Sequence, residues 1–394
     1  MSKIVFFCIP AHGHTNPTLG VVKELVSRGH EVFYYSYNNM REKIESTGAQ
    51  FFSCDDYDME QKLNAKDATR LGKDLAFSTK ILVDTTLALD DKVCKEMKNL
   101  SPDCIVSDSM ALWGKAVALK LGIPFISSTT TFAFNRHSAK VMKQGLGDLF
   151  KMLLSMPKTS KEVKRLKDKG YPINSILDII GNDDSIHTIV YTSPEFQPYS
   201  ETFSKNFAFV GPSVRNPTEE IEKTREKLIY ISMGTVNNDM MPFYKMCISA
   251  LKNTEYQVIL SVGNLVPIEE FGKLPENISV FPSVDQIAVL KQADAFISHA
   301  GMNSVSESLY FGVPLVMFPQ TTEQKGVAAR VLELGAGITL DKVNEDSVLS
   351  AVKKLLADST YQKNAEKISA GFKNCSGAKG AADKIIEVCS VTRS

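Results

Sequence analysis

Short apolar runs alternate with helical periodicities along most of the chain. An apolar run at residues 4–9 is followed by apolar positions three or four apart over residues 19–26, and a second run covers residues 32–35. These patterns predict a strand, a helix and a second strand, with Pro17 in the first turn of the helix. The alternation favours an α/β fold built on a parallel sheet.

The alternation continues in two series, and a segment of different character separates them. Residues 212–227 contain two prolines and many charges but few apolar positions, which is typical of a linker. We therefore predict an N-terminal Rossmann-like domain at residues 1–212, a linker at 213–227, a C-terminal Rossmann-like domain at 228–376 and a C-terminal helix at 377–394. The two domains are expected to face each other across a cleft.

Composition narrows the range of partners. The 394 residues, 43% of them apolar, are enough for two hydrophobic cores. The 45 basic and 45 acidic residues cancel, which argues against a nucleic-acid partner and against binding to an anionic membrane surface. The apolar run at residues 4–9 is too short to span a membrane, so no membrane insertion is expected.

The cysteines indicate the redox compartment. There are seven, scattered along the chain, and none forms a C-x-x-C pair. An odd number at irregular spacing fits neither a disulfide framework nor a zinc site. The sequence therefore predicts a reducing, cytoplasmic location, and it leaves the oligomeric state open.

The loop after the first predicted strand contains two histidines, His12 and His14. Ligands of open α/β sheets bind at the carboxyl ends of the strands, where this loop lies. A histidine near its ordinary pKa of about 6.5 accepts a proton at neutral pH when a carboxylate orients its ring. Asp108, which follows a strand predicted at 104–107, reaches the same edge. Either histidine is a candidate base on this reasoning, and helix capping or a His-x-His metal pair are the alternatives.

A dense group of candidate binding residues lies between a predicted strand and a predicted helix. Its members are His299, Gly301, Asn303, Ser304 and Glu307. Backbone N–H groups at a helix N-terminus attract an anion such as a diphosphate, and glycine allows a close approach. Glu307 can accept hydrogen bonds from a ribose diol. The alternative is an ordinary helix start with Ser304 as its N-cap.

Two shorter segments follow other strands of the second series. Glu323 and Gln324 offer an acceptor and a donor suited to vicinal hydroxyls, and Thr235 follows a strand predicted at 228–232, where it can face a phosphate. A solvated polar loop is the alternative in both places.

Together these segments resemble the signature of the UDP-dependent glycosyltransferases of family 1, which have the GT-B fold, and especially its bacterial macrolide-glycosyltransferase-like branch. The resemblance extends over most of the chain and is most specific at residues 285–324. It implies that the residues of the 299–304 segment hold the diphosphate, with Thr235 assisting, and that Glu307 holds the ribose. Glu323 and Gln324 would hold sugar hydroxyls, as in members that use glucose.

One turn departs from the family pattern. Members usually carry an aromatic-x-Pro-Gln turn that contacts uracil, whereas this chain has a serine at position 283 and an aspartate at position 285. The expected contacts to the base end of the donor are therefore Phe281, the backbone of Val284, and Gln286.

The resemblance also implies a reaction. The Gly-His-x-Asn-Pro pattern at residues 13–17 assigns the base to His14, with Asp108 as its partner. The expected reaction transfers glucose from UDP-glucose to a hydroxyl with inversion at C1. No prosthetic group and no metal are expected, because preorganised donors at the helix start would stabilise the leaving diphosphate. In similar proteins the C-terminal segment packs back on the first domain.

The acceptor site is predicted in segments rich in methionine and phenylalanine. Its candidate residues are Phe132, Phe134, Met142 and Phe150. Such side chains form an adaptable apolar surface, which favours a small hydrophobic acceptor such as a macrolide, a flavonoid or another phenolic or polyketide natural product. Packing in the core is their alternative role.

Two other functions remain on sequence grounds. One is a GT-B transferase that uses UDP-N-acetylglucosamine or a deoxysugar nucleotide. The other is a catalytically silent protein that binds a nucleotide sugar, although such a protein would not need both His14 and Asp108.

Overall fold

The chain folds into two compact units. The computed structural model describes residues 1–55, 70, 74–135, 137, 146–180, 184–234 and 240–391. The first unit contains Met1–Ser213 and Cys375–Ser394, and the second contains Val214–Asn374. Most of the segment predicted as a linker therefore belongs to the second unit, and the C-terminal helix belongs to the first.

A seven-stranded parallel sheet forms the centre of the first unit. Its strands are β1 Lys3–Phe7, β2 Glu31–Ser36, β3 Gln50–Ser53, β4 Cys104–Asp108, β5 Phe125–Thr129, β6 His187–Val190 and β7 Phe207–Phe209. They lie in the order β3-β2-β1-β4-β5-β6-β7, and neighbouring strands are parallel.

A six-stranded parallel sheet forms the centre of the second unit. Its strands are β8 Leu228–Ser232, β9 Gln257–Ser261, β10 Ile278–Phe281, β11 Ala295–Ser298, β12 Leu315–Met317 and β13 Gly337–Thr339. Their order is β10-β9-β8-β11-β12-β13, and neighbouring strands are again parallel. The predicted α/β class with two Rossmann-like units is confirmed.

Helices lie between most strands that are consecutive in the chain, and others follow β13. They are α1 His12–Ser27, α2 Arg41–Glu45, α3 Leu75–Leu100, α4 Leu112–Leu121, α5 Leu146–Asp168, α6 Ile176–Ile180, α7 Met241–Leu251, α8 Gln286–Leu290, α9 Met302–Tyr310, α10 Thr322–Glu333, α11 Glu345–Ala357, α12 Ser359–Lys373 and α13 Gly377–Val391. No helix in the described part of the chain is long and apolar enough to cross a membrane.

Apolar side chains cover both faces of the first sheet. Val5 and Phe7 of β1 pack into one core, and Ile4 and Phe6 pack into another on the opposite face. A strand that is buried on both faces has no polar side, so its sequence is a continuous apolar run rather than an alternating one.

The C-terminal helix α13 packs in the first unit. Its residues Ala381 and Ile385 are fully buried in the same core as Ile4. Arg28, the residue after α1, forms an ion pair with Asp383, with a distance of 2.5 Å between its Nη1 and the Asp383 Oδ1.

The observed elements differ from the predicted ones at a few points. Helix α1 begins at His12, so Pro17 lies inside it rather than in its first turn. The first turn is already formed upstream, where the backbone N–H groups of His14 and Thr15 both donate to the Ala11 carbonyl. The sequence analysis missed β3 and β13, which have only four and three residues.

Both sheets contain a topological switch point. In the first sheet it lies between β1 and β4, and in the second between β8 and β11. Connections leave these neighbouring strands toward opposite sides, which opens a crevice at their carboxyl ends. The loops after these four strands are therefore the places where the fold prepares a ligand site.

The close contact of α4 with β1 and β4 gives a test of the first unit. A Cβ on Gly114 would lie 2.8 Å from the Cβ atoms of both Phe7 and Ser107. Gly114→Ala should therefore lower the free energy of unfolding by about 1–3 kcal/mol through overpacking. Urea unfolding can be followed by the fluorescence of Trp113, the chain's one tryptophan, which is fully buried in this unit.

Gly20→Ala is the matched control for this substitution. Gly20 is also in a helix of the first unit, and an added Cβ would make ordinary contacts, 3.5 Å from Ser213 and 3.6 Å from Ala378. It should leave stability unchanged or raise it by up to about 1 kcal/mol. Equal losses in the two variants would contradict the packing described for Gly114.

Candidate active and donor-binding sites

The switch point of the first sheet brings together His14 and Asp108. Strand β1 ends at Phe7, and the loop that follows leads into α1, which carries His14 near its start. Asp108 is the last residue of β4, the neighbour of β1. Both side chains therefore reach the carboxyl edge of the sheet at the same place.

The two side chains form a short hydrogen bond. His14 Nδ1 lies 2.7 Å from Asp108 Oδ2, and the Thr130 hydroxyl lies 3.3 Å from the same ring nitrogen. The Met110 backbone N–H donates to the other carboxylate oxygen, Oδ1, at 2.7 Å. Because both oxygens of the carboxylate are held, the imidazole has a fixed orientation.

His14 and Asp108 differ in solvent exposure, and this limits the role that each can take. The Asp108 side chain is 0% exposed, whereas the His14 side chain is 22% exposed. A molecule that approaches this edge can therefore meet the imidazole but cannot reach the carboxylate. With Nδ1–H donating to Asp108, Nε2 is the nitrogen that can accept a proton.

His12, the other candidate base, points elsewhere. It is exposed, and its Nδ1 lies 3.2 Å from Lys43 Nζ, in α2. Within the described residues, no three or more histidine, cysteine, aspartate or glutamate side chains are grouped closely enough to hold a metal ion.

The predicted acceptor residues lie in different environments. Phe132 is buried, with its ring centroid 5.5 Å from that of Phe196, whereas Phe134 is exposed. Phe150 lies in α5, and its side chain is not among the described ones. Met142 lies outside the described residues. Among the candidates whose side chains the structure describes, Phe132 and Phe134, the exposed ring is that of Phe134.

The switch point of the second sheet holds His299 between two glycines. Gly234 follows β8 with a φ of +82°, and a Cβ at this position would lie 2.6 Å from Cε1 of His299. A Cβ on Gly301 would collide with Nε2 of the same ring. Both glycines are therefore needed for the backbone to pass this close to the imidazole. Thr235 lies outside the described residues.

The backbone next to this ring is strained. Ala300 has a φ of +63°, a conformation that residues with a Cβ adopt at a cost of about 1–2 kcal/mol. Such residues cluster at ligand sites, where the strained backbone aims particular groups. Here it turns the chain from β11 into α9.

Helix α9 begins without a side-chain cap. Its N-cap is Gly301, so the alternative of Ser304 as N-cap is wrong. By contrast, α8, α10, α11 and α12 are each capped by a side chain, from Asp285, Thr321, Asn344 and Asp358 respectively. The partly buried residues Asn303 and Ser304 lie in the first turn of α9, which is suited to an anion.

Glu307 and Gln286 form a polar pair beside this helix start. Gln286 Nε2 donates to Glu307 Oε2 at 2.5 Å, and the Tyr230 hydroxyl is 3.4 Å from Gln286 Oε1. Burial raises the pKa of the Glu307 carboxyl. Phe281, on the edge strand β10, is 41% exposed, and Val284 is half-buried.

Gln324 has a structural role as well as its predicted binding role. Its Oε1 accepts from the backbone N–H groups of Gln320 and Thr321, at 2.7 and 3.1 Å. The Thr321 hydroxyl accepts from the Gln324 N–H, which completes a capping box at the start of α10. In the predicted binding role, the Gln324 side chain would therefore contact a sugar hydroxyl through its amide NH₂ group. The neighbouring Glu323 is exposed.

The sequence analysis missed one group of polar residues near this site. Asp285, the N-cap of α8, forms an ion pair with Arg215 and accepts hydrogen bonds from Thr218. Arg215 and Thr218 lie in the segment predicted as a linker, about 70 positions away along the chain. Only the high charge of that segment hinted at a tertiary contact.

Comparisons with known proteins identify the class. The family model described as "UDP-glucoronosyl and UDP-glucosyl transferase" matches residues 199–375. An uncharacterized UDP-glucosyltransferase, YojK, of Bacillus subtilis is 33% identical, with 98% of this chain and 97% of that protein covered. The NDP-glycosyltransferase YjiC of Bacillus licheniformis is 34% identical, with 97% and 96% covered.

The fold agrees with these matches. The crystal structure of a calicheamicin glycosyltransferase superposes with a TM-score of 0.83 at 25% identity, covering 100% of both chains. The chain belongs to the UDP-glucoronosyl and UDP-glucosyl transferase family. The predicted resemblance, the GT-B fold and the assignment as a glycosyltransferase enzyme are confirmed.

The environment of His299 predicts an unusual titration. Burial lowers its pKa to about 4, so the ring should be neutral at pH 7 in the free protein. Its NMR resonances should stay constant from pH 8 to about 5 and shift only below that. Because the unfolded chain binds this proton at about 6.5, the ring also makes stability fall as pH decreases from about 6.5 to 4.

His299→Gln assigns the signal among the six histidines of the chain. It should remove one resonance that does not move between pH 5 and 8. A resonance that titrates near 6.5 and disappears in this variant would mean that the ring is open to solvent, against the packing between Gly234 and Gly301.

Proposed function

We propose that the protein is an inverting transferase that moves glucose from UDP-glucose to a hydroxyl of a small hydrophobic acceptor, with His14 as base. The observation that carries this proposal is the 2.7 Å hydrogen bond between His14 Nδ1 and the buried carboxylate of Asp108. An alcohol is a weak nucleophile until its proton is removed, and this pair has the form of an oriented general base.

The proposed reaction is one displacement. The acceptor hydroxyl gives its proton to His14 Nε2 while its oxygen attacks C1 of the sugar from the face opposite the diphosphate, so the configuration inverts. Asp108 accepts from Nδ1–H throughout and stabilises the imidazolium that forms. The leaving group is UDP, whose new negative charge is held by the start of α9 and by His299.

The donor assignment rests on separate observations. The uncapped helix start at Gly301 suits a diphosphate, and the Gln286–Glu307 pair suits a ribose diol. Glu323 and the Gln324 amide would bind the sugar hydroxyls, and Phe281 and Val284 would contact the base. The name of the Bacillus subtilis relative supports UDP-glucose, and that of the Bacillus licheniformis relative admits other nucleotides.

The acceptor is proposed as a class only. Two large apolar side chains on the loops after β4 and β5 are exposed, Met110 at 43% and Phe134 at 39%. A calicheamicin glycosyltransferase among the similar structures supports a hydrophobic natural product. We therefore propose macrolide, flavonoid or other phenolic or polyketide acceptors.

Product formation tests the proposed function directly. The protein is incubated with UDP-glucose and a panel of macrolide, flavonoid and alcohol acceptors, and products are identified by mass and anomeric configuration. A β-glucoside is the expected product. UDP-N-acetylglucosamine and deoxysugar nucleotides in parallel reactions test the alternative donors, and faster transfer from one of these would replace UDP-glucose in the proposal.

Removal of the base tests the mechanism. His14→Ala should lower kcat by about 10²- to 10⁴-fold, and the affinity for UDP should change little because His14 contributes no contact to the diphosphate. Asp108→Asn should also lower kcat strongly, because an amide cannot stabilise the imidazolium. Steady-state kinetics with an aliphatic alcohol acceptor and calorimetric titration with UDP measure the two effects.

His12→Ala is the control for these variants. It removes a histidine from the same loop whose ring contacts Lys43 rather than Asp108, so kcat should change by less than about tenfold. If His14→Ala retained the parent rate with an aliphatic alcohol, the assignment of His14 as base would be wrong.

A further inference from the structure

The carboxylate of Asp285 is the centre of a dense hydrogen-bond group in the second unit. Arg215 binds it with two nitrogens, at 2.6 Å to Oδ1 and 2.8 Å to Oδ2. The backbone N–H and hydroxyl of Thr218 donate to Oδ2 at 2.5 and 2.6 Å. The Asp285 N–H donates in turn to Glu219 Oε1 at 2.9 Å. Segment 215–219 is thereby fixed to one point of the fold.

That point is the start of α8. Asp285 Oδ1 also accepts from the backbone N–H of Ile287, at 3.0 Å, and so caps the helix whose first residue is Gln286. Gln286 donates to Glu307. A continuous series of polar contacts therefore runs from Arg215 through Asp285 and Gln286 to Glu307.

Charge reinforces this geometry. Asp285 is buried, which raises the pKa of its carboxyl, but the hydrogen bonds from Arg215 and Thr218 more than offset burial and hold the pKa well below its usual range. Arg215 also favours the ionised form of Glu307, against the effect of burial. One guanidinium thus supports two carboxylates.

We propose that Arg215 and Asp285 are positioning residues for ribose recognition, and that this pair makes the protein select ribonucleotide over 2′-deoxyribonucleotide donors. The inference rests on the proposed function, in which Glu307 accepts from the ribose hydroxyls. The Glu307 carboxyl, held by Gln286, presents a fixed acceptor to the diol. A shift of α8 would release Gln286, and the acceptor would lose its alignment.

The departure from the family's uracil turn makes the contacts to the ribose more important for donor recognition. The chain has Ser283 where an aromatic ring is usual and Asp285 where proline is usual, and Ser283 is exposed. With less stacking area at the base, discrimination among nucleotides falls more heavily on the ribose contacts. Asp285 is the substitution that makes the ion pair with Arg215 possible, because proline has no carboxylate.

A second ion pair in the same segment provides a matched control. Lys223 Nζ lies 2.6 Å from Asp294 Oδ2, and Asp294 also accepts from the Leu228 N–H at 2.8 Å. Asp294 precedes β11 and Leu228 begins β8, so this pair lies at the amino-terminal edge of the sheet. It also holds the charged segment that contains Arg215 to the sheet, and it lies at the edge opposite to the proposed donor site.

The experiment compares three probes by calorimetric titration: UDP, 2′-deoxyuridine diphosphate and inorganic pyrophosphate. The parent protein should prefer UDP over its 2′-deoxy form by roughly 10- to 100-fold, the value of a hydrogen bond to a charged group. Arg215→Met should reduce this preference about tenfold. Its affinity for pyrophosphate, which contacts only the start of α9, should be unchanged.

Two further variants separate positioning from simple stability. Lys223→Met should keep the parent preference, with any loss confined to the unfolding temperature. Arg215→Lys keeps the charge but not the two-nitrogen contact, so it should retain an intermediate preference and remains informative if Arg215→Met does not fold. Equal loss of affinity for all three probes, or a preference unchanged in both Arg215 variants, would overturn the inference.

Glu307→Gln distinguishes failure of the inference from failure of the proposed ribose site. If this variant loses the preference for UDP while the Arg215 variants keep it, only the positioning role is wrong. If the parent shows no preference, or Glu307→Gln keeps it, the ribose site itself is wrong and the inference falls with it.

Discussion

The short hydrogen bond between His14 and Asp108 depends on which strands are neighbours. The two residues are 94 positions apart, and they meet because β1 and β4 lie side by side at the switch point of a parallel sheet. The carboxyl ends of these strands face the same edge, and crossovers leave on opposite sides. Strand order therefore creates the buried carboxylate next to an accessible imidazole, and the proposed base chemistry follows from that arrangement.

The second unit uses the same topology for a different purpose. Its switch point, between β8 and β11, holds a neutral imidazole between two glycines and a helix start that no side chain caps. The side chains of Asp285, Thr321, Asn344 and Asp358 cap α8, α10, α11 and α12, whereas α9 has no side-chain cap, and we propose that its first turn binds the diphosphate. A site made of backbone dipoles and a neutral ring is preorganised, so it stabilises developing charge without a cluster of cations.

Sequence patterns predicted central strands such as β1, β2 and β4 well, because these strands are buried on both faces and appear as apolar runs. They failed for β3 and β13, which are edge strands of mostly half-buried residues and so show no continuous apolar run. The pairing of His14 with Asp108 was predicted from a shared sheet edge and a family motif. The ion pair of Arg215 with Asp285 was not, because its partners are distant in the chain and charge-rich segments usually indicate solvated linkers. The local sequence around either residue does not show which distant residue it will contact.

The ion pair of Arg215 with Asp285 bears on how the proposed donor site would recognise its ligand. A stacked aromatic ring recognises a base largely through area, which tolerates small displacements. A carboxylate that accepts from a diol depends on distance and angle, so it needs neighbours that fix it within a few tenths of an ångström. The chain lacks the usual aromatic at position 283 but has Arg215, Thr218 and Glu219 bound around Asp285. In the proposed ribose site, the rigidity that polar recognition requires is thus supplied by the contacts of segment 215–219 with Asp285.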